Sequence, residues 1–222
     1  MAQSQDSMDY VGENSRRSEG PSAALVRARI GPGSCCQAFA DDELRLYALA
    51  EGHGQGPAAE VAAAATLRAV IRARSTAPSW RTDAAGIQEL FEAAALELHS
   101  LRSQQHAYGG MSSSLAVLAL GYRRAVVGIV GDCVGFLAHA GEGPRALACG
   151  QALLLGPALE VNPTIVAIDR RGGDRLLLAL GGVLEFIVQY GEQARWMSAE
   201  ALVEAGLSRA PQRNAGLVSV EL

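Results

Sequence analysis

The chain has 222 residues, 49% hydrophobic and 19% charged, with 25 glycines and a net charge of −4. That is enough apolar chain for one domain with a substantial core. With no basic block, it lacks the electrostatic footprint of a binder of nucleic acid or anionic membrane.

Met1 to Ser22 are polar, rich in Ser, Glu and Arg, and carry neither a signal-peptide core nor an amphipathic stripe. They read as a disordered tail, with the domain running over 23–222. Ala24 to Ile30 suits a first strand, and Gly31-Pro32-Gly33-Ser34 a turn. Cys36 to Ala40 and Leu44 to Ala50 read as a hairpin about Asp41-Asp42-Glu43. Gly54 to Gly56 ends the strand, and Pro57 fits a first helical position. A helix follows over Ala58 to Arg74, with Val61, Leu67, Val70 and Ile71 for its buried face and Arg68, Arg72 and Arg74 largely outside.

After a loop with Pro78 and Trp80, Ile87, Leu90, Phe91, Ala94, Leu98 and Leu101 recur at helical spacing within Ala85 to Arg102. Strands are expected over Ser113 to Leu120, Arg124 to Val130 and Cys133 to His139, with Gly141-Glu142-Gly143 as a hairpin tip. Two more follow over Pro163 to Ile168 and Asp174 to Leu180. Leu153-Leu154-Leu155 reads as core. Val183 to Tyr190 and Ser198 to Ser208 are helical, and Asn214 to Glu221 closes as a strand. The order of strands and helices departs from alternating βαβ units and predicts an α+β fold with two antiparallel sheets.

No apolar run approaches the length that spans a bilayer, so the cytoplasm is the expected location. Cys35, Cys36, Cys133 and Cys149 form no C-x-x-C pair, and the four histidines supply no zinc spacing. The cysteines read as reduced thiols packed as small apolar groups.

Six ordered blocks carry a family resemblance. Leu46 to Gly54, ending Glu51-Gly52-His53-Gly54, looks like a strand entering a DG(H/M)GG motif, and Ala59-Glu60-Val61-Ala62 like the helix start after it. Gly110 to Leu115 resembles a G-(M/S/T)-T-(S/T) strand entry, and Val127 to Cys133 a "vanvGDS" hairpin. Gly173 to Gly182 resembles "GDrLLLaSDG", and Arg213 to Val218 a terminal "DNaTvv". Together they resemble the PPM/PP2C metal-dependent serine/threonine phosphatases, most closely the compact bacterial members, over about Ala23 to Leu222.

The resemblance implies a four-layer αββα sandwich with a two-metal site at one end. In such a site acidic residues hold two Mn²⁺ or Mg²⁺ ions that share the attacking water, and an arginine binds phosphate. Hard divalent ions need several oxygen ligands, and a metal pair needs carboxylates to offset its charge.

Carried across, most of those acids are missing. The family's bridging aspartate is Glu51, with the Gly52 carbonyl beside it as the remaining metal contact. The aspartate of the first motif falls on Ala38, the phosphate-binding arginine on Gly33, the SDG aspartate on Gly181 and the DN aspartate on Arg213. His53, Gly54, Asp132 and Asn214 keep the family's residue types. A register shift near Ala38 would instead offer Asp41 or Asp42. A like-charge contact at ~4 Å costs about 4 kcal/mol at an effective dielectric near 20, so Arg213 works against a metal.

The expectation is therefore a pseudophosphatase that needs no cofactor and holds at most one weakly bound Mg²⁺ or Mn²⁺. Arg213 is expected to pair with Glu51 across the old site, and Asp132 to make an Asx-type turn bond. The expected role is a protein-binding or regulatory module in phospho-signalling, engaging a kinase, a phosphatase or a phosphoprotein rather than nucleic acid or membrane. The alternatives are an active phosphatase with an altered site using Asp41, Asp42 or Asp132, and a structural subunit of a larger assembly.

Overall fold

The computed structural model describes residues 26–29, 35–77, 81–151, 154–211 and 213–222. The tail Met1 to Ser22, the turn with Gly33, and Pro78, Trp80, Leu153 and Gln212 lie outside the described residues. Among the described residues, ten strands form two antiparallel sheets. One has the order β1 (Val26–Arg29), β10 (Ala215–Glu221), β9 (Arg175–Leu180), β6 (Cys133–Ala138) and β7 (Arg145–Cys149). The other has the order β2 (Cys35–Asp41), β3 (Leu46–His53), β4 (Ser112–Leu120), β5 (Arg124–Val130) and β8 (Thr164–Asp169).

Helices α1 (Ala58–Thr76) and α2 (Ala84–Gln104) cover the second sheet. Helices α3 (Gly181–Ala194) and α4 (Ala199–Arg209) cover the first. This is the expected α+β, four-layer αββα arrangement. Among the described residues no helix is long and apolar enough to cross a membrane.

Strand alternation sorts the side chains into three cores. On β3, Leu46, Ala48 and Ala50 point under α1, whereas Tyr47 and Leu49 point between the sheets. On β4, Leu115, Val117 and Ala119 join the first set, and Ala116, Leu118 and Leu120 the second. This strand is buried along its whole length because both of its faces are covered. Leu177, Ala179, Ala215 and Leu217 face outward against α3 and α4. The same parity puts Glu51 and His53 on the intersheet side, and Gly52 under α1. A Cβ at Gly52 would stand 1.8 Å from the Ala59 carbonyl oxygen, so the close approach of helix to strand requires glycine here.

Three local expectations change. The buried face of α1 is mainly Ala58, Ala59, Ala62, Ala63, Ala65, Thr66 and Ala69 with Leu67 and Val70, whereas Val61 and Ile71 are half-buried. Small residues are what so close a packing admits. Strand β7 returns from the Gly141–Gly143 tip, and its alanines gave the sequence little strand signal. Helix α3 is longer than Val183 to Tyr190, with non-helical backbone at Tyr190.

The thiols divide by burial. Cys36 and Cys133 are buried, Cys35 is half-buried and Cys149 is exposed, so Cys149 departs from the expected apolar packing. Burial, reinforced by the Glu51 carboxylate, pushes both the Cys36 and Cys133 thiols up. A thiol-reactive probe at pH 8 should label Cys149 first and reach Cys36 and Cys133 only on unfolding. Mass spectrometry of the labelled peptides checks this, and rapid native labelling of Cys36 would contradict the burial.

Candidate functional site

One end of the sandwich opens into a cleft of about 570 Å³ between the sheets. The end of β3 brings Glu51 and His53, and the β5–β6 turn brings Gly131 and Asp132. Cys149 and Gly150 come from the end of β7. Gly181, Leu184 and Glu185 open α3, and Arg213 and Asn214 precede β10. Antiparallel order puts these strand ends together, so residues far apart in sequence line one cavity.

The cleft therefore gathers Glu51, His53, Asp132, Gly181, Arg213 and Asn214 from the sequence-predicted set. Gly52 faces α1, and Gly54 lies just beyond the strand, outside the lining. Ala38 pairs with Leu49, two positions along β3 from Glu51, and does not line the cleft; the β2 residue opposite Glu51 is Cys36. Asp41 pairs with Leu46 at the far end of that hairpin, about 17 Å along the strand from Cys36. Its Oδ1 accepts from the Leu44 N–H at 2.8 Å, and Asp42 Oδ1 accepts from the Tyr47 hydroxyl at 2.7 Å. Both acids have turn duties remote from the cleft, so the register that would bring them to it does not occur.

Two contacts replace the expected pairing of Arg213 with Glu51. Glu51 Oε1 accepts from Asn214 Nδ2 at 2.5 Å, and Arg213 Nη1 meets Glu185 Oε1 at 2.6 Å. Arg213 and Asn214 are chain neighbours of opposite aim: Asn214 is buried and turned inward, whereas Arg213 lies over α3. The inner bond, made to a charged acceptor, contributes roughly 1.5–3 kcal/mol. The outer pair is 64% and 50% exposed and contributes about 0.5 kcal/mol or less.

Ser114 organises the floor. Its Oγ accepts from the Asp132 N–H at 3.1 Å and lies 3.1 Å from His53 Nε2, while the Ser113 hydroxyl donates to the Glu51 carbonyl at 3.0 Å. The turn at Asp132 is thus held through its backbone N–H, in place of the expected Asx bond. Its exposed carboxylate makes no hydrogen bond or ion pair among the described residues. Ser114 is fully buried, which leaves its hydroxyl to position His53 rather than to meet a ligand.

Sequence reasoning missed Ser114, Cys36 and Glu185. An acid near the start of the helix after β9 was the one available signal for Glu185.

At Gly181 the backbone has φ +57°, and a Cβ there would stand 2.0 Å from the Asn214 carbonyl oxygen. That oxygen accepts from the Gly182 N–H at 2.8 Å, which ties the start of α3 to the start of β10.

No protein-family model matches the chain, and no curated protein matches it. Solved structures do. The catalytic domain of the serine/threonine protein phosphatase PstP, in complex with two manganese ions, aligns with a TM-score of 0.72 at 22% identity, over 90% of this chain and 95% of that one. The PPM Ser-Thr phosphatase MsPP from Mycobacterium smegmatis aligns at 0.70 and 20% identity, over 91% and 99%. PppA, a key regulatory component of T6SS in Pseudomonas aeruginosa, aligns at 0.77 and 17% identity, over 91% and 98%. The fold is that of the PPM phosphatases. At these identities the likeness establishes the PPM fold, and the chemistry of the cleft has to be argued from its own residues.

Proposed function

We propose that this PPM-fold chain does not catalyse two-metal phosphoester hydrolysis and works as a protein-binding or regulatory module in phospho-signalling. The observation that carries the reading is Gly181, where the aspartate of an SDG motif would stand. Its backbone is pressed against the Asn214 carbonyl, so the position holds neither a carboxylate nor the space for one.

The rest of the donor set points the same way. Ala38 has no oxygen to offer and lies off the cleft. Glu51 is occupied by Asn214, and Arg213 puts a cation, neutralised by Glu185, where an active site needs an anion. The PstP structure holds two manganese ions, whereas these residues do not fit a metal pair. Among the described residues, no group of three or more His, Cys, Asp or Glu is placed to hold a metal. Without the pair no metal-activated water is supplied, so no hydrolytic step is assigned to Glu51, His53 or Asp132.

PppA is a neighbour whose described role is regulatory, and a cytoplasmic protein partner such as a kinase, a phosphatase or a phosphoprotein suits a fold kept for its surface.

Hydrolysis of p-nitrophenyl phosphate with Mn²⁺ is expected to stay at the buffer rate, and Mn²⁺ titration calorimetry to give at most one weak site. Turnover abolished by Glu51→Ala, or stoichiometric binding of two ions, would overturn the reading.

A further inference from the structure

The cleft reaches the start of α3 at Leu184, and a second cavity lined by Pro144, Arg145, Gly191 and Glu192 lies at the end of that helix. Leu184 and Val188 stand at i and i+4, ahead of the non-helical backbone at Tyr190, and so lie on one face of that helix. Leu184 lines the cleft beside Val134 and Cys149. At the other end, a Cβ on Gly191 would lie 3.8 Å from the Pro144 carbonyl oxygen at the β6–β7 tip. Between these two points α3 runs beside β6 and β7, and Val188, on the face of Leu184, is 70% exposed.

The facing floor is low. Ala146 is paired with Phe136 and Cys149 with Val134, so both share the outward side of the sheet with those residues. Ala146 and Cys149 are exposed. Among the described residues, strand β7 is also the edge of its sheet, bonded to β6 alone. From Arg145 to Cys149 it measures about 13 Å, the span of an extended peptide of about five residues.

Charge selects the occupant. The cleft at the head of the groove carries Glu51, Asp132 and Glu185 against the single cation Arg213, a net charge of −2 with His53 neutral. Glu51 is bonded to Asn214 and Glu185 to Arg213, which leaves the Asp132 carboxylate, free of such bonds among the described residues, facing solvent. A phosphate entering without metals meets that negative field, whereas an ammonium or guanidinium group is attracted by it.

We infer that the α3–β7 groove receives an extended segment of a partner protein that lays apolar side chains against Val188 and Ala146 and places a lysine or arginine at Asp132. This rests on the non-catalytic reading above and names the partner as a basic peptide, not a phosphopeptide.

A random-peptide phage library selected on the immobilised full chain tests it. Enriched peptides should carry Lys or Arg next to apolar residues. A synthetic consensus peptide, followed by fluorescence polarisation, should bind about tenfold more weakly to Val188→Gln and to Asp132→Asn, with melting temperatures unchanged. The same peptide with phosphoserine in place of its basic residue should not bind. An absence of enriched peptides, enrichment without basic residues, full affinity for Val188→Gln, or a preference for the phosphoserine peptide would overturn the inference. Metal-dependent turnover in the phosphatase assay would instead overturn the non-catalytic reading, so the two failures are distinguishable.

Discussion

Replacing His139 by alanine is expected to destabilise the fold by about 3 kcal/mol, although the residue lies outside the candidate site. Its partner is Asp174, whose side chain is 4% exposed and whose Oδ1 lies 2.9 Å from His139 Nδ1. The other carboxylate oxygen is buried without a partner, so removing the imidazole leaves the whole carboxylate buried and unbonded. Asp174 also joins two segments through its backbone: its N–H donates to the Arg171 carbonyl, and its carbonyl accepts from the Leu222 N–H at 2.9 Å. The ion pair Arg124–Asp169, 68% and 77% exposed, makes the contrast, because its removal should cost about 0.5 kcal/mol or less. Urea unfolding of His139→Ala, Asp174→Asn and the double variant gives the coupling. The double variant should recover part of the loss, because a neutral amide is cheaper to bury than a carboxylate. A loss below about 1 kcal/mol for His139→Ala would show that the carboxylate finds other partners.

The same residue illustrates what the sequence could reveal. Asp174 stood out only as part of a glycine–aspartate block before a leucine strand, while its dependence on His139, 35 positions earlier, required the folded sheet. Strands β3 and β4 were legible because both of their faces are apolar, and the α2 face because Ile87, Leu90, Phe91 and Leu98 keep helical spacing. Strand β7 was obscure because Arg-Ala-Leu-Ala-Cys has neither β-branched residues nor clean alternation. On α1 the large residues Val61 and Ile71 drew attention, but the close approach at Gly52 is filled by alanines.

In the cleft, residue types predicted which positions gather but not which contacts they make. Opposite charge suggested Arg213 with Glu51. Backbone direction gives Glu51 to Asn214 and turns Arg213 out to Glu185, a partner with no motif to announce it. On β2, Cys36 stands opposite Glu51, and Asp41 and Asp42 are committed to the turn at the other end, a placement that required the paired strands.

Returning a carboxylate to Gly181 is expected to fail as a route to a metal site. Gly181→Asp must hold a side chain at φ +57°, which costs roughly 1–2 kcal/mol for an L-residue. It must also push its Cβ away from the Asn214 carbonyl 2.0 Å off, adding an overpacking cost of about 1–3 kcal/mol. The expected sum is a loss of about 3 kcal/mol with no gain in Mn²⁺ binding, read by urea unfolding and by calorimetry on the same sample. Arg213→Asp, at an exposed position, should change stability by about 0.5 kcal/mol or less, so the two restorations separate a missing charge from a closed backbone. A Gly181→Asp protein with unchanged stability and tight Mn²⁺ binding would mean that the turn opens readily and that the cleft remains a latent metal site. The hydrogen bond from Gly182 to Asn214 argues against such opening, because the displacement that makes room for the aspartate also lengthens that bond. The start of β10 would then have to move, and with it Asn214, which now occupies Glu51. Rebuilding one ligand therefore disturbs another, and an active centre would require α3, β10 and the Glu51 contact to shift together.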